Sequence, residues 1–330
     1  MSVYSYSQRY LRLRPAVQVA LALLAVFGLL SLFSNYPFES VSPSAPPAPA
    51  PAPTPLASLQ PSPSPPPPPP PQPTVGKVSM IYGGHSVYER ALASHEEHSR
   101  RLNYPMVILR KPIINGVWNK LLILISTITR ELEKPDAQRL QWLFWFDSDT
   151  VVMNLGLPLE TFLPPSNITD VHLLISKDWN GMNAGNFFIR VHPWSINFLN
   201  AALAYPRLIP DAFIPWKEQS AMSEVLDGSD YFSQCVVYCP SRWFNPFRSS
   251  KNGEDPSDEG LADDMMIHRG DLQVHFPGYD KGKLAEAMDP YIAISEQQRP
   301  EWNVPVENTG YIEETALFWE RFSTSHTEDG

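Results

Sequence analysis

Apolar and polar positions alternate in blocks whose period changes along the chain. Lys77 to Tyr82 (KVSMIY) predicts a first strand, closed by Gly83-Gly84. Ser86 to Leu102 follows with its charges on one side, as a helix. Tyr104 to Leu109 predicts a second strand, Trp118 to Glu133 a strongly apolar helix, and Trp142 to Phe146 a third strand. Strands alternating with helices predict a parallel sheet with right-handed crossovers, a Rossmann-like half. The second half is less regular. Val171 to Ser176 and Asn186 to Val191 predict strands, and Pro193 to Ala204 a helix with proline at its first position. Trp216 to Leu226 is a further helix candidate, Leu272 to Phe276 a late strand and Asp280 to Met288 a last helix. The C-terminus reads as polar and frayed.

The third strand carries the most information. Five large apolar residues run without a break into Asp147-Ser148-Asp149-Thr150. A run of this kind predicts a strand buried on both faces of an α/β sheet. In such sheets ligands bind beyond the carboxyl ends of the strands. On an extended backbone two carboxylates at i and i+2 point the same way. Such a pair suits a hard divalent cation, which can in turn hold a diphosphate. A helix cap is the alternative for an Asp here, but Thr150-Val151-Val152-Met153 continues with β-branched residues and disfavours a helix start. Trp142, Phe144 and Trp145 read as core.

Other chemistries are disfavoured. There is no G-x-G-x-x-G and no Walker A loop. His95-Glu96-Glu97-His98 places its histidines three apart, where a zinc-binding H-E-x-x-H needs four, so it reads as a solvated helix face. Cys235 and Cys239 are the only cysteines. They could close a small loop in an oxidising compartment, given a turn between them, or remain two buried thiols on a strand. Asn167-Ile168-Thr169 is a glycosylation sequon after Pro164-Pro165, on an expected loop.

The N-terminal quarter differs in kind. Residues 1–15 contain Arg9, Arg12 and Arg14, and residues 16–33 are apolar except for Gln18 and Ser31. Eighteen helical residues span roughly 27 Å, enough for a thin bilayer. The basic flank predicts a cytosolic N-terminus and a translocated remainder. The apolar core is long for a cleaved leader and lacks an A-x-A-like site, so an uncleaved type II anchor is expected, in a thin membrane such as the Golgi. Residues 34–74 hold half of the 36 prolines. They predict a disordered, extended stem reaching on the order of 100 Å. Residues 75–330 are large enough for one folded domain. That domain carries about −12 of the formal charge of −10, because the preceding segments carry +2. Nucleic acid is therefore not an expected partner.

The aspartate segment, with Met153-Asn154 after it, resembles the metal-binding segment of the family 34 glycosyltransferases. These include fungal galactosyl- and mannosyltransferases of the Gma12/Mnn10 type and plant xyloglucan xylosyltransferases. Four further segments are similar in order and spacing: Trp118-Asn119-Lys120, Asn183 to Arg190 (NAGNFFIR), Glu218-Gln219-Ser220-Ala221, and Gly270 to Gly278 (GDLQVHFPG). The resemblance covers about Lys77 to Lys283. It implies a single GT-A domain, a UDP- or GDP-sugar donor, a Mn²⁺ ion, a glycan acceptor and retention of anomeric configuration.

Carried over by position, Asp147 and Asp149, with Ser148 between them, contact the metal and the donor's diphosphate and ribose. His275 becomes the third protein ligand, and a Mn²⁺ ion accepts imidazole beside oxygen ligands. Asn183 and Gly185 line the sugar pocket, with a simple turn between strands as the alternative. Gly278 follows in the histidine segment. Lys281 or Lys283 is placed to neutralise the diphosphate, or is a solvated surface lysine. Asp178, Glu218 and Gln219 are the candidates for contact with the transferred sugar. The expected activity is a luminal, metal-dependent, retaining transfer of galactose or mannose. A non-catalytic subunit of a glycosyltransferase complex and a metal-dependent phosphohydrolase are the rivals.

Overall fold

The computed structural model describes residues 73–251, 253 and 263–328. The expected anchor and nearly all of the stem lie outside the described residues. Among the described residues no helix is long and apolar enough to cross a membrane.

Eight strands and six helices of ten residues or more form the described fold. They are β1 (Val75–Met80), α1 (Ser86–Leu102), β2 (Met106–Leu109), α2 (Asn119–Leu132), β3 (Trp142–Phe146), β4 (Thr150–Val152), β5 (Leu173–Asp178), β6 (Gly181–Arg190), α3 (Pro193–Leu208), α4 (Glu218–Asp227), β7 (Val236–Tyr238), β8 (Gln273–His275), α5 (Lys281–Glu296) and α6 (Tyr311–Glu328). Six strands make one sheet in the order β2-β1-β3-β6-β5-β7, and β4 pairs with β8 in a second, small one.

The first half is the expected parallel unit: β1 runs parallel to both β2 and β3. The second half, less regular in its sequence, makes the sheet mixed. β6 is antiparallel to β3 and to β5. The reason is loop length. Asp178 pairs directly with Gly181, so β5 and β6 form a hairpin, and two intervening residues cannot make the crossover that parallel strands need.

β3 is buried at every position because both faces of the sheet are covered. Leu143 and Trp145 pack with α2, α3 and α4 on one face. Trp142, Phe144 and Phe146 pack on the other, with Phe162, Trp243, Phe244, Tyr311 and Trp319. A third cluster joins β4 and β8 to α1 and α5 through Val87, Val151, Val274, Phe276 and Tyr291. The expected frayed tail is instead the helix α6. Trp319 is buried, and the Tyr311 hydroxyl donates to Asp271 at 2.6 Å, so the end of the chain closes the core under the β8 segment.

The histidines at 95 and 98 also correct the expectation. Both are buried, as is Lys77 on β1. His95 stacks on Phe146 at 3.7 Å between ring centroids, and His98 Nε2 lies 2.9 Å from the Leu157 carbonyl. Lys77 Nζ lies 3.3 Å from His98 Nδ1 and donates to the His95 carbonyl. Lys77 and His98 thus pair across elements that look solvated one at a time, while the His95 ring reaches Thr150 through Nε2, 3.0 Å from its hydroxyl, and leaves Nδ1 without a partner. Cys235 and Cys239 are free thiols at the two ends of β7, too far apart along an extended strand to bond.

Burial holds His95 and His98 well below the ordinary histidine value of 6.5, with Lys77 adding to the effect. The unfolded chain therefore binds more protons than the folded one once pH falls below about 6.5, and stability drains away as pH falls further. Each histidine removes up to about 1.4 kcal/mol per pH unit in that window. Denaturant midpoints measured between pH 7.5 and 5.5 will fall, and His98→Gln will flatten the slope. A midpoint independent of pH over this range contradicts the assignment.

Candidate active site

The site lies where β3 ends, and three local features build it. The first is the turn at residues 147–149. The chain does not stay extended here, as the i, i+2 argument supposed. It turns between β3 and β4, with the Thr150 hydroxyl donating to the Asp147 carbonyl at 2.6 Å. Both carboxylates still face the cleft. The second is an irregularity in β6. Pairing with β5 jumps from Phe187 to Asn183, which frees Ala184, Gly185 and Asn186 from β5. The Gly185 carbonyl then accepts from the Asp147 N–H at 2.9 Å, the Ala184 N–H donates to Gln219 Oε1 at 2.9 Å, and the Ala184 carbonyl accepts from Lys120 at 2.9 Å. The third is the pairing of β4 with β8. It sets Thr150 opposite His275 and carries the imidazole to the carboxylates.

One ligand atom from each of Asp147, Asp149 and His275 lies within 4.8 Å of the others. His275 Nε2 is 3.5 Å from Asp149 Oδ1. The ring's other nitrogen, Nδ1, is 2.8 Å from Asn245 Oδ1. Asn245 is a buried hub. Its amide nitrogen donates to Ser176 Oγ at 2.8 Å and to Asn183 Oδ1 at 3.0 Å, and its oxygen also accepts from Asn186 at 2.7 Å. With that oxygen as the acceptor, His275 carries its proton on Nδ1 and turns the Nε2 lone pair toward the aspartates.

Gly185 makes room for this ring. A Cβ on residue 185 would stand 2.2 Å from His275 Cε1. The glycine is needed for close approach rather than for its backbone angles.

Two carboxylates and a neutral imidazole are a donor set suited to a divalent cation such as Mn²⁺. The electrostatics agree. Burial raises the Asp147 carboxyl above its ordinary range; Lys120 opposes this and Asp149 adds to it. A bound cation would favour the charged form. Lys120 itself is buried, 3.1 Å from Asp147 and 3.2 Å from Glu218. Burial works against its charge, but the two carboxylates outweigh it and hold its pKa above the ordinary value. Trp145 Nε1 gives Asp147 a further donor at 2.8 Å.

The surrounding cleft is about 480 Å³. Asp147, Asp149, Asp178, Asn183, Gly185, Glu218, Gln219, His275 and Gly278 all line it. Asp178 accepts from the Asn180 N–H at 2.6 Å and from Asn183 Nδ2 at 2.7 Å. Glu218 opens α4 but is buried against Lys120, so it acts on the cleft through that ion pair. Gln219 uses its oxygen on Ala184, which leaves its amide NH₂ for the cleft. Three expected residues are not brought to the lining. Ser148 sits in the turn, and Lys281 and Lys283 are exposed in the first turn of α5, which Asp280 caps. The sequence reading missed Asn245 and gave Lys120 no role. Lys120 was detectable as a cation in the first turn of an apolar helix, whereas Asn245 lies in a stretch without periodicity.

Comparison with known proteins adds an independent line. Residues 165–283 match the model of the galactosyl transferase GMA12/MNN10 family, a span that holds the β5–β6 hairpin, Gln219 and His275. A probable alpha-1,2-galactosyltransferase of Schizosaccharomyces pombe is 27% identical over 222 residues, 57% of this chain and 62% of that protein. An uncharacterised alpha-1,2-galactosyltransferase of the same yeast is 28% identical over 257 residues, 66% of this chain and 62% of that one. A probable xyloglucan 6-xylosyltransferase of Oryza sativa is 31% identical over 108 residues, 31% of this chain and 22% of that one. The chain thus spans about 62% of the two yeast proteins. Among solved structures, a glycosyltransferase involved in glycosylation of the major capsid of PBCV-1 aligns with 66% of this chain and 99% of its own, at 16% identity and a TM-score of 0.48.

Gly185→Ala will push the His275 ring aside. Mn²⁺ affinity measured by calorimetry should fall by about 10–100-fold, the range seen when support for a metal ligand is lost. Asn245→Leu, which removes the acceptor for Nδ1, should fall in the same range. Unchanged Mn²⁺ binding in both variants contradicts this geometry.

Proposed function

The chain belongs to the GMA12/MNN10 family of galactosyl transferases, and from that membership we propose that it is a metal-dependent hexosyltransferase of GT-A architecture. It moves galactose or mannose from a nucleoside diphosphate sugar to a hydroxyl of a glycan. The observation that carries this reading is the convergence of Asp147, Asp149 and His275 at the mouth of a polar cleft.

Asp147, Asp149 and His275 Nε2 would hold a Mn²⁺ ion, which when bound supplies charge stabilisation to a departing diphosphate. The protein's own groups do the rest. Asn245 holds the His275 tautomer, and Lys120 keeps Asp147 and Glu218 in place while remaining charged itself. Gln219 and Asn183 face the region where the transferred sugar would lie, and Asp178 orients Asn183. A retaining, same-face substitution is the course this proposal favours, so no residue is assigned as nucleophile. The proposal includes a type II membrane protein acting in the Golgi lumen, a reading supported by the apolar segment at 16–33, its basic flank and the proline-rich sequence after it.

Full-length protein supplied with UDP- and GDP-hexoses should show transfer that EDTA stops and Mn²⁺ restores. Asp149→Ala should lower turnover at least about a hundredfold while leaving the thermal transition cooperative. Turnover that survives both EDTA and the substitution contradicts the proposal.

A further inference from the structure

A second cavity, about 170 Å³, opens beside the metal cleft and is lined by Asn180, Met182, Phe213, Trp216, Ser223 and Glu224, among others. The two share a wall: Asn180, Pro215, Trp216 and Gln219 line both. Gln219 stands at the junction, its oxygen tied to Ala184 and its amide free to reach either chamber. Phe213 is 85% exposed and Trp216 50% exposed. Large aromatic rings in water at the rim of a polar cleft mark a surface that something apolar on one face covers.

The backbone reinforces the placement. Lys217, between Trp216 and buried Glu218, has φ +51° and ψ −114°. A lysine there is strained, and the surroundings must offset that strain. The side chains on its two sides diverge: Glu218 turns in to Lys120, and Trp216 stays at the rim.

We propose that this second cavity is the acceptor subsite and that it takes a neutral pyranoside. The C–H face of the sugar ring lies on Trp216 and Phe213, and its hydroxyls meet Asn180, Ser223 and the Gln219 amide. An anionic occupant fits poorly because Glu224 lines the cavity, and an extended apolar one because Asn180, Gln219 and Ser223 line it as well. This assignment rests on the glycosyltransferase reading in its direction of transfer. Its binding claim stands apart from it, which lets the two fail separately.

The test uses full-length protein with methyl α-D-mannopyranoside and methyl α-D-galactopyranoside as probes, without donor, in saturation-transfer NMR. At least one probe should receive saturation at its ring protons. Phe213→Ala and Trp216→Ala should each weaken probe binding by about tenfold, and Phe213→Tyr should retain it. Both rings are exposed, so their removal leaves no core cavity, and Mn²⁺ binding by each variant checks the fold. Where transfer is also measurable, the acceptor KM should rise by a similar factor with the donor KM unmoved. Binding of a probe by wild type and Phe213→Tyr but not by the alanine variants supports the subsite even if no nucleotide sugar is turned over, an outcome that would defeat only the transferase reading. No saturation of either probe, or equal binding by the alanine variants, overturns the subsite.

Discussion

The imidazole of His275 lies against the bare backbone of Gly185, with Asn245 holding its far nitrogen, and the rest of the site depends on that contact. The histidine comes from the small β4–β8 sheet and the glycine from the centre of the large sheet. Their approach is what brings a ligand from a late part of the chain onto the carboxylates that follow β3. A methyl group at residue 185 would occupy the ring's own space. A different partner for Nδ1 would change which nitrogen carries the lone pair.

That contact is possible because β6 breaks its pairing with β5 at this point. The backbone groups released there are not left orphaned. They bind Asp147, Gln219 and Lys120, so one irregularity in a strand supplies partners to both walls of the cleft. Lys120 then joins those walls by its charge. Removing it would leave the buried Glu218 carboxylate and the partly exposed Asp147 without the cation they share, and an uncompensated buried charge is costly. The walls are therefore fixed before any ligand arrives, which is the condition for catalysis by positioned charge.

Much of this was legible in the sequence where one face of an element sees only core. β3 and α1 fall where their apolar patterns placed them, from Trp142 to Phe146 and from Ser86 to Leu102. The aspartate pair stood out because it ends an unbroken apolar run, whereas His275, Gln219, Asn183 and Gly185 came from the family resemblance of their segments; all of them line one cleft. Legibility fails where polar residues serve the interior. β6 starts at Gly181, not Asn186, because its first residues face the site and carry no apolar alternation. Lys77, His95 and His98 look solvated one by one, and only the packing of α1 on the sheet shows that Lys77 meets His98 and the His95 carbonyl in the interior. Asn245 makes its side-chain contacts to residues 30 to 69 positions away in the chain, so no local pattern marks it. Lys281 and Lys283, read either as partners of the diphosphate or as solvated surface lysines, are exposed in the first turn of α5, since a motif's neighbourhood does not fix which way a helix turn points.

Pulsed EPR on the full-length protein loaded with one equivalent of Mn²⁺, before and after addition of UDP, tests the central claim most directly. The account predicts coupling of the metal to an imidazole nitrogen, lost in His275→Gln, and a new coupling to phosphorus once the nucleotide is present. A Mn²⁺ spectrum with no nitrogen coupling, or one unchanged by His275→Gln, would contradict the claim that residues 147, 149 and 275 share a single cation.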